Sequence, residues 1–331
     1  LKSFQPDPET PRFQKFKSLD WAGIVLNIGI YVSFVMAFTF GGTQWPWSSG
    51  RIIALIVVFG VLLITFAIQQ TFCIFTTPEL RIFPVDFLRS RDLILQFVSM
   101  SAAVTTLFVF IYYIPLFFAF TRGDSAIDAA IRLLPFICIT IFFVMLNGAL
   151  MPKFGYYMPW FLFSGIFLVI GGSLMYALVD PSTSNSAVYG YSVIGAIGAG
   201  ASQQASYSIA QAKVPVNRIA DAVGFINSAQ IGGIVIALTI TGAVFQSVGY
   251  RHVSDALGPG FSPAEIRGAL AGAKSGIFEK VSQDVRDKVI AGIVQAITDG
   301  YILIITAGAV LIVASLLMKR EKLFMEMSAG G

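Results

Sequence analysis

Eight uncharged polar side chains set within apolar stretches are the residues with binding chemistry to offer. Gln96, Tyr112 and Tyr113 share one stretch, Gln203, Gln204 and Tyr207 a second, and Asn227 and Gln230 a third. Amides and phenols donate and accept hydrogen bonds without carrying charge, which suits neutral ligands. Facing hydrocarbon, an amide would go unsatisfied, so these groups must face other helices or a wet cavity. Two readings stand for each one: a hydrogen bond between helices, typically worth about 0.6 kcal/mol, or a place on a cavity wall. As a set, adjacent Gln203 and Gln204 with Tyr207 one turn on favour the wall. Tyr112-Tyr113-Ile114-Pro115 adds aromatics before an expected proline kink. Ser99, Thr105, Thr106 and Ser206 lie nearby in sequence.

Charges keep to the ends of these stretches. Asp20, Asp92, Asp128 and Asp221 stand near expected helix starts, where a carboxylate meets the positive end of the helix dipole. Arg132 lies about two turns inside its stretch and is expected to snorkel or pair with Asp128. No acidic or basic residue falls near the middle of any span, so a carboxylate for proton coupling is not expected in this stretch of chain. A lone His252, and Cys73 far from Cys138, suggest no metal site, cofactor or disulfide framework. No convergent nucleophile, base or metal constellation is found, so an enzyme is not expected.

The elements that must position these side chains are long apolar helices. The chain is 56% hydrophobic and 12% charged, with a mean hydropathy of +0.78. Eight stretches of the length that spans a bilayer run through it: 20–40, 51–69, 92–120, 126–151, 156–178, 188–211, 219–247 and 299–318. The expected fold is all-α, a polytopic bundle of eight transmembrane helices. Continuous runs such as Ile52–Ile68 exclude the alternating ten-residue segments of an outer-membrane barrel. Expected divisions are a cytoplasmic segment 1–19, two helices within 20–77, a Pro-bounded linker 78–91, a six-helix domain 92–318 and a tail 319–331. Within the domain, 249–298 reads as an outer insertion. Ser262-Pro263-Ala264-Glu265 is a capping box, and Val285, Val289, Ile293 and Ile297 mark an amphipathic helix that either lids a cavity or lies at the membrane interface.

Basic residues set the orientation. Alternate loops carry Lys2, Arg12, Lys15, Lys17, then Arg81, Arg89, Arg91, then Lys153, then Lys213, Arg218, then Lys319, Arg320, Lys322; the short loops between carry Arg51 and Arg122. The positive-inside rule then places both termini in the cytoplasm. The cations are scattered over membrane-flanking segments, so the expected partner is the lipid bilayer and not nucleic acid. Gly224, Ser228 and Gly232, and likewise Gly198, Ser202, Ser206 and Ala210, form small-residue faces expected to pack helix on helix.

In order along the chain come Leu19-Asp20-Trp21-Ala22-Gly23, Gly41-Gly42 with Trp45-Pro46-Trp47, and Arg81-Ile82-Phe83-Pro84. Tyr112-Tyr113-Ile114-Pro115-Leu116-Phe117-Phe118, Leu133-Leu134-Pro135, Val223-Gly224-Phe225 and Gln230-Ile231-Gly232-Gly233 follow. On these residues, from about Leu19 to Phe324, the chain resembles the C-terminal part of fungal major facilitator superfamily proteins of the fourteen-span drug:proton antiporter type. Gly148 to Tyr157 matches that superfamily's cytoplasmic-loop pattern at Gly148, Leu150, Lys153 and Gly155. Pro152 stands at its aspartate position and Tyr156-Tyr157 at its basic pair, which leaves a tight turn without the charge relay.

The resemblance implies that the first two spans are a central pair and the other six a C-terminal half, facing a midplane cavity with alternating access. It implies a missing N-terminal six-helix half as partner, a chain that begins at Leu1 as a fragment, protons as coupling ion, and an amphipathic small molecule as substrate. Export of drugs, toxins or metabolites is the expected function, and the plasma membrane is expected ahead of the vacuole. An importer of the same superfamily, for siderophores for instance, stays open. So does a truncated, non-transporting protein that binds partner helices through its small-residue faces.

Overall fold

A computed structural model describes Phe16, residues 19–272 and residues 276–323. Most of the expected 1–19 segment, with Lys2, Arg12, Lys15 and Lys17, lies outside the described residues, as do residues 324–331 of the expected tail. Thirteen α-helices form among the described residues: α1 Trp21–Phe40, α2 Gly50–Phe72, α3 Arg91–Arg122, α4 Ala126–Ile131, α5 Leu134–Phe154, α6 Met158–Leu178 and α7 Asn185–Ser202, then α8 Ala205–Ala212, α9 Ile219–Leu257, α10 Pro263–Ala271, α11 Ile277–Lys280, α12 Gln283–Gly300 and α13 Ile302–Leu317. No β-sheet forms among them, only two isolated bridges.

Local chemistry starts and stops these helices. Asp20, Ser49, Ser90, Ser125, Ser184 and Ser262 each cap a helix by accepting a backbone N–H. The Ser262–Glu265 capping box forms in full. Gly123 and Gly155 end α3 and α5 at φ 68° and 73°, a left-handed turn that favours glycine.

Seven helical segments among the described residues are long and apolar enough to cross a membrane. They are α1, α2, α3, α4 with α5, α6, α9 with the turn before it, and α12 with α13. The eighth expected stretch, 188–211, folds as two helices: α7 ends at Ser202 and α8 begins at Ala205, leaving Gln203 and Gln204 in a break. Glycines every few residues make α7 a weak helix former. Pro115 sits inside α3, which continues through it, while Gln203 and Gln204, both right-handed, stand in a turn between α7 and α8.

Helix α3 is the hub, buried along most of its length and packed against α9, α13, α12, α8 and α7. The α1–α2 pair packs on itself and touches the rest through α9, leaving α2 largely exposed to the apolar surroundings expected of a membrane. The 249–298 insertion buries one face against the rest of the bundle. Helix α9 runs on to Leu257, and Val289, Ile293 and Ile297 of α12 are buried in the largest hydrophobic cluster with Ile266 and Leu270 of α10. Its apolar face had a protein core to cover, so the insertion is built into the bundle.

Close packing depends on the small residues of α6, α7 and α13. A Cβ on Gly171 would lie 2.6 Å from the backbone nitrogen of Gly195, and one on Gly165 would lie 2.9 Å from the carbonyl of Gly308. Ser164 donates to the Gly198 carbonyl at 2.7 Å, and its hydroxyl pairs with Ser202 at 2.8 Å. The expected α9 face does not pack this way: Gly224 is open, and Gly232 meets only the Tyr31 hydroxyl. Gly171→Ala is expected to destabilise the bundle by about 1–3 kcal/mol through overpacking and to lower the melting temperature of purified protein. Gly190→Ala, which adds its methyl to open space inside α7, should not lower that temperature and is expected to raise it slightly, since alanine is the better helix former.

Candidate functional site

The structure brings three of the eight polar residues together. Tyr207, on the first turn of α8, points its hydroxyl at α9, where Asn227 and Gln230 lie three residues apart on one face. The hydroxyl reaches Gln230 Oε1 at 2.7 Å and Asn227 Oδ1 at 3.1 Å. One phenolic proton is shared between two amide oxygens, so the trio has hydrogen-bonding capacity to spare. Asn227 is exposed, and Tyr207 and Gln230 are half-buried. The site therefore combines uncharged donors and acceptors with access from outside the bundle. Gln204 is exposed at the break just before it.

The other four lie elsewhere. Gln96 and Gln203 are buried, each with its amide oxygen unpartnered among the described residues. Gln96 turns its NH2 toward the sulfur of Met318 at 4.0 Å. Tyr113 is fully buried among Phe245, Tyr301 and Tyr112. Its neighbour Tyr112 packs edge-on against it at a centroid distance of 5.1 Å but is itself 54% exposed. Ser206 is likewise buried with an unpartnered hydroxyl. None of these groups hydrogen-bonds to the trio among the described residues.

Below the trio, one end of the bundle is held by charge. Lys213, at the end of α8, pairs with Glu321 and with Asp92 at 3.2 Å, and Lys319 pairs with Asp92 at 3.1 Å. Burial opposes the Lys213 charge, but hydrogen bonds to Glu321 and Asp92 outweigh it and raise the ammonium above its ordinary pKa. The 319–323 segment is tied down further, with Leu323 N–H donating to the Gly155 carbonyl at 2.9 Å and Tyr157 donating to Glu321 at 3.3 Å. The turn at Gly148–Tyr157 is thus a structural turn and also a dock for that segment. A second cluster joins Arg81, Asp86, Arg218 and Asp221, tying the linker to the start of α9.

At the opposite end, Arg132 pairs with Asp124 at 2.8 Å and reaches Tyr189 at 3.2 Å. The expected partner Asp128 instead engages its own cap, Ser125, at 2.7 Å. Arg122 donates to Asn185, Pro181 and Thr183, holding the turn before α7.

A further network escaped the sequence reading. Buried Asp20 accepts from the Gly23 N–H at 2.9 Å, Gln69 at 3.0 Å and Gln70 at 2.6 Å. Gln70 Oε1 in turn accepts the Phe83 N–H at 2.9 Å. The signal was present as two adjacent glutamines closing an otherwise apolar span.

Charge-assisted hydrogen bonds contribute roughly 1.5–3 kcal/mol each. Lys213→Met is therefore expected to free the 319–323 segment and speed tryptic cleavage at Arg320 and Lys322 at least tenfold. Arg89→Met, at an exposed position outside both clusters, should leave the cleavage rate unchanged.

Comparison with known proteins gives the arrangement its context. The chain is 44% identical over 330 residues to the MFS-type transporter pgmG of Aspergillus terreus, covering 100% of this chain and 59% of that protein. It is 43% identical over 286 residues to the efflux pump patC of Aspergillus clavatus, covering 86% of this chain and 52% of the pump. The efflux pump alnA of Emericella nidulans is 36% identical over 332 residues, which cover 99% of this chain and 60% of that pump. No family model matches. Among solved structures, the inward-facing, unoccupied bacterial homologue of the human lysosomal transporter Spinster superposes with a TM-score of 0.53 at 16% identity. That superposition covers 90% of this chain and 66% of the other. The chain thus spans between half and two thirds of the length of the proteins it matches. It is an integral, multi-pass membrane protein with a transporter-like helical fold, similar in sequence to fungal MFS-type transporters and efflux pumps.

Proposed function

We propose that this chain is the C-terminal part of a major facilitator secondary transporter that exports amphipathic small molecules by alternating access. In this reading α1 and α2 are the central pair of a fourteen-span protein, and α3 to α13 form its C-terminal half. The observation that carries the proposal is the Tyr207–Asn227–Gln230 trio, uncharged and accessible, in a chain similar to proteins named efflux pumps. A wall of amides and a phenol holds a largely apolar ligand by its few polar groups and gives a fixed charge no place to pair. Gln204 extends that wall from the break between α7 and α8. The segment 319–323 and its Lys213–Asp92 pairing lie at the cytoplasmic end, where they hold the inner ends of α3, α8 and α13 together in the conformation described.

Proton antiport is part of the proposal. The apolar stretches read from the sequence carry no carboxylate near their middle, and Asp299 stands where α12 meets α13, at the start of the last of them; we place the coupling acid in the remainder of the transporter. Substrates of this kind are hydrophobic enough to re-enter by diffusion, so export must outpace leakage.

The test uses the protein expressed from its full gene in yeast stripped of its own drug pumps, with accumulation of a panel of fluorescent amphipathic dyes as the readout. Expression is expected to lower steady-state accumulation of the uncharged dyes. Tyr207→Ala and Asn227→Ala should each reverse that effect about tenfold at unchanged membrane abundance, the loss of one to two hydrogen bonds. Accumulation that rises on expression would mean import. Accumulation that stays the same across the panel would overturn the transport reading.

A further inference from the structure

A cavity of about 360 Å³ lies between the α1–α2 pair and the α3–α9 pair, where Ser228, Gly232 and Ile236 form its α9 wall. At 100° per residue these positions sit on the side of α9 opposite Asn227 and Gln230, so the cavity is separate from the trio. Phe34, Phe59, Phe66, Phe83 and Phe97 supply most of the remaining wall. Two polar side chains one turn apart on α1, Asn27 and Tyr31, face the same space. Neither hydrogen-bonds to another described residue.

Three properties of this lining select a ligand. None of its residues is charged, so an ion would enter without a counter-charge and lose its hydration. Phenylalanine rings favour other rings through offset and edge contacts, beyond the area they bury. A saturated acyl chain would fill the volume but leave the Asn27 amide and Tyr31 hydroxyl unmatched where water is scarce. An aromatic body with one acceptor satisfies all three. The phenol and the amide NH2 both donate, and both point to a carbonyl or ether oxygen on the ligand.

The wall is set before any ligand arrives. Phe83 is fixed through its backbone N–H by Gln70, and Gln70 by the buried Asp20 carboxylate. The Phe83 ring packs on Phe225 and Phe97 at centroid distances of 5.3 and 6.1 Å. Such preorganisation lowers the ordering cost of binding. It also gives the Asp20–Gln69–Gln70 network a purpose beyond joining α1 to α2.

We propose that this cavity binds an uncharged aromatic small molecule carrying a hydrogen-bond acceptor, held among the phenylalanines and oriented by Asn27 and Tyr31. The proposal is independent of the export reading, since a bound ligand here requires no transport.

Benzophenone is a suitable probe: two rings, one carbonyl, no charge, and light-triggered attachment to nearby C–H groups. The full chain in phosphatidylcholine vesicles would be irradiated over a range of probe concentrations and its adducts mapped by mass spectrometry. The expected result is saturable labelling at Ile30, Leu63 or Ile236. Filling the space from either side, by Gly232→Leu or Leu63→Trp, should abolish that labelling in protein that melts like the parent. Tyr31→Phe with Asn27→Leu, which leaves the volume nearly intact, should raise the half-saturating concentration about tenfold. Labelling that never saturates and spreads over exposed Val25, Val57 and Ile64 would overturn the proposal. So would saturable labelling that survives both filling variants.

Discussion

Hydrocarbon offers a polar group nothing to bond with, and most of this architecture follows from that constraint. Backbone amides are consumed within helices, and helix starts are closed by serine and aspartate caps. Threonines and serines inside the spans turn back to carbonyls of their own helix, as Thr105, Thr140 and Thr241 do. Charged groups gather in clusters at the two ends, where Asp86, Asp92 and Asp124 each face a cation. Some polar atoms escape this accounting: buried Gln96, Gln203 and Ser206 each keep an oxygen unpartnered among the described residues, and the accessible Tyr207 trio and Asn27 with Tyr31 are where a ligand is proposed to use such capacity.

Helix-on-helix contact follows from the same constraint. Association in lipid gains little from hydrophobic burial and relies on close approach. Glycine at 165, 171, 195 and 308 lets backbones of α6, α7 and α13 meet almost directly. The long α3 threads the middle, with small and polar buried residues along its first half and buried aromatics from Phe110 to Phe120 along its second. The α1–α2 pair lacks such contacts with the helices that follow it. It is joined to them through α9, the linker network at Asp20 and Gln70, and the ion cluster around Asp86. A cavity is left where the two bodies fail to close.

Much of this was legible in the sequence. Span positions followed from uninterrupted apolar runs, and the Ser262 capping box and the tight turn at Gly155 from local chemistry. What escaped was whatever depends on a partner distant in the chain. The 188–211 stretch was apolar enough in outline, but its glycines weaken the helix where Gln203 and Gln204 then break it. Arg132 had a carboxylate at helical spacing in Asp128, yet the Ser125 cap had first claim on it and Asp124 took its place. The small-residue stripe of α9 looked like a packing face and instead lines a cavity, because spacing alone does not say whether a neighbour arrives. Side-chain type marked eight polar candidates without ranking them; only the fold separates Tyr207, Asn227 and Gln230 from the buried Gln96, Tyr113 and Gln203.

The central claim is directional movement of uncharged amphipathic molecules, and flux into sealed inside-out membrane vesicles measures it most directly. With protein expressed from the full gene and the vesicle lumen made acidic, the account predicts uptake of such a compound that needs no ATP. That uptake should collapse when the pH gradient is dissipated. Uptake equal to that of vesicles without the protein, under either gradient, would contradict it.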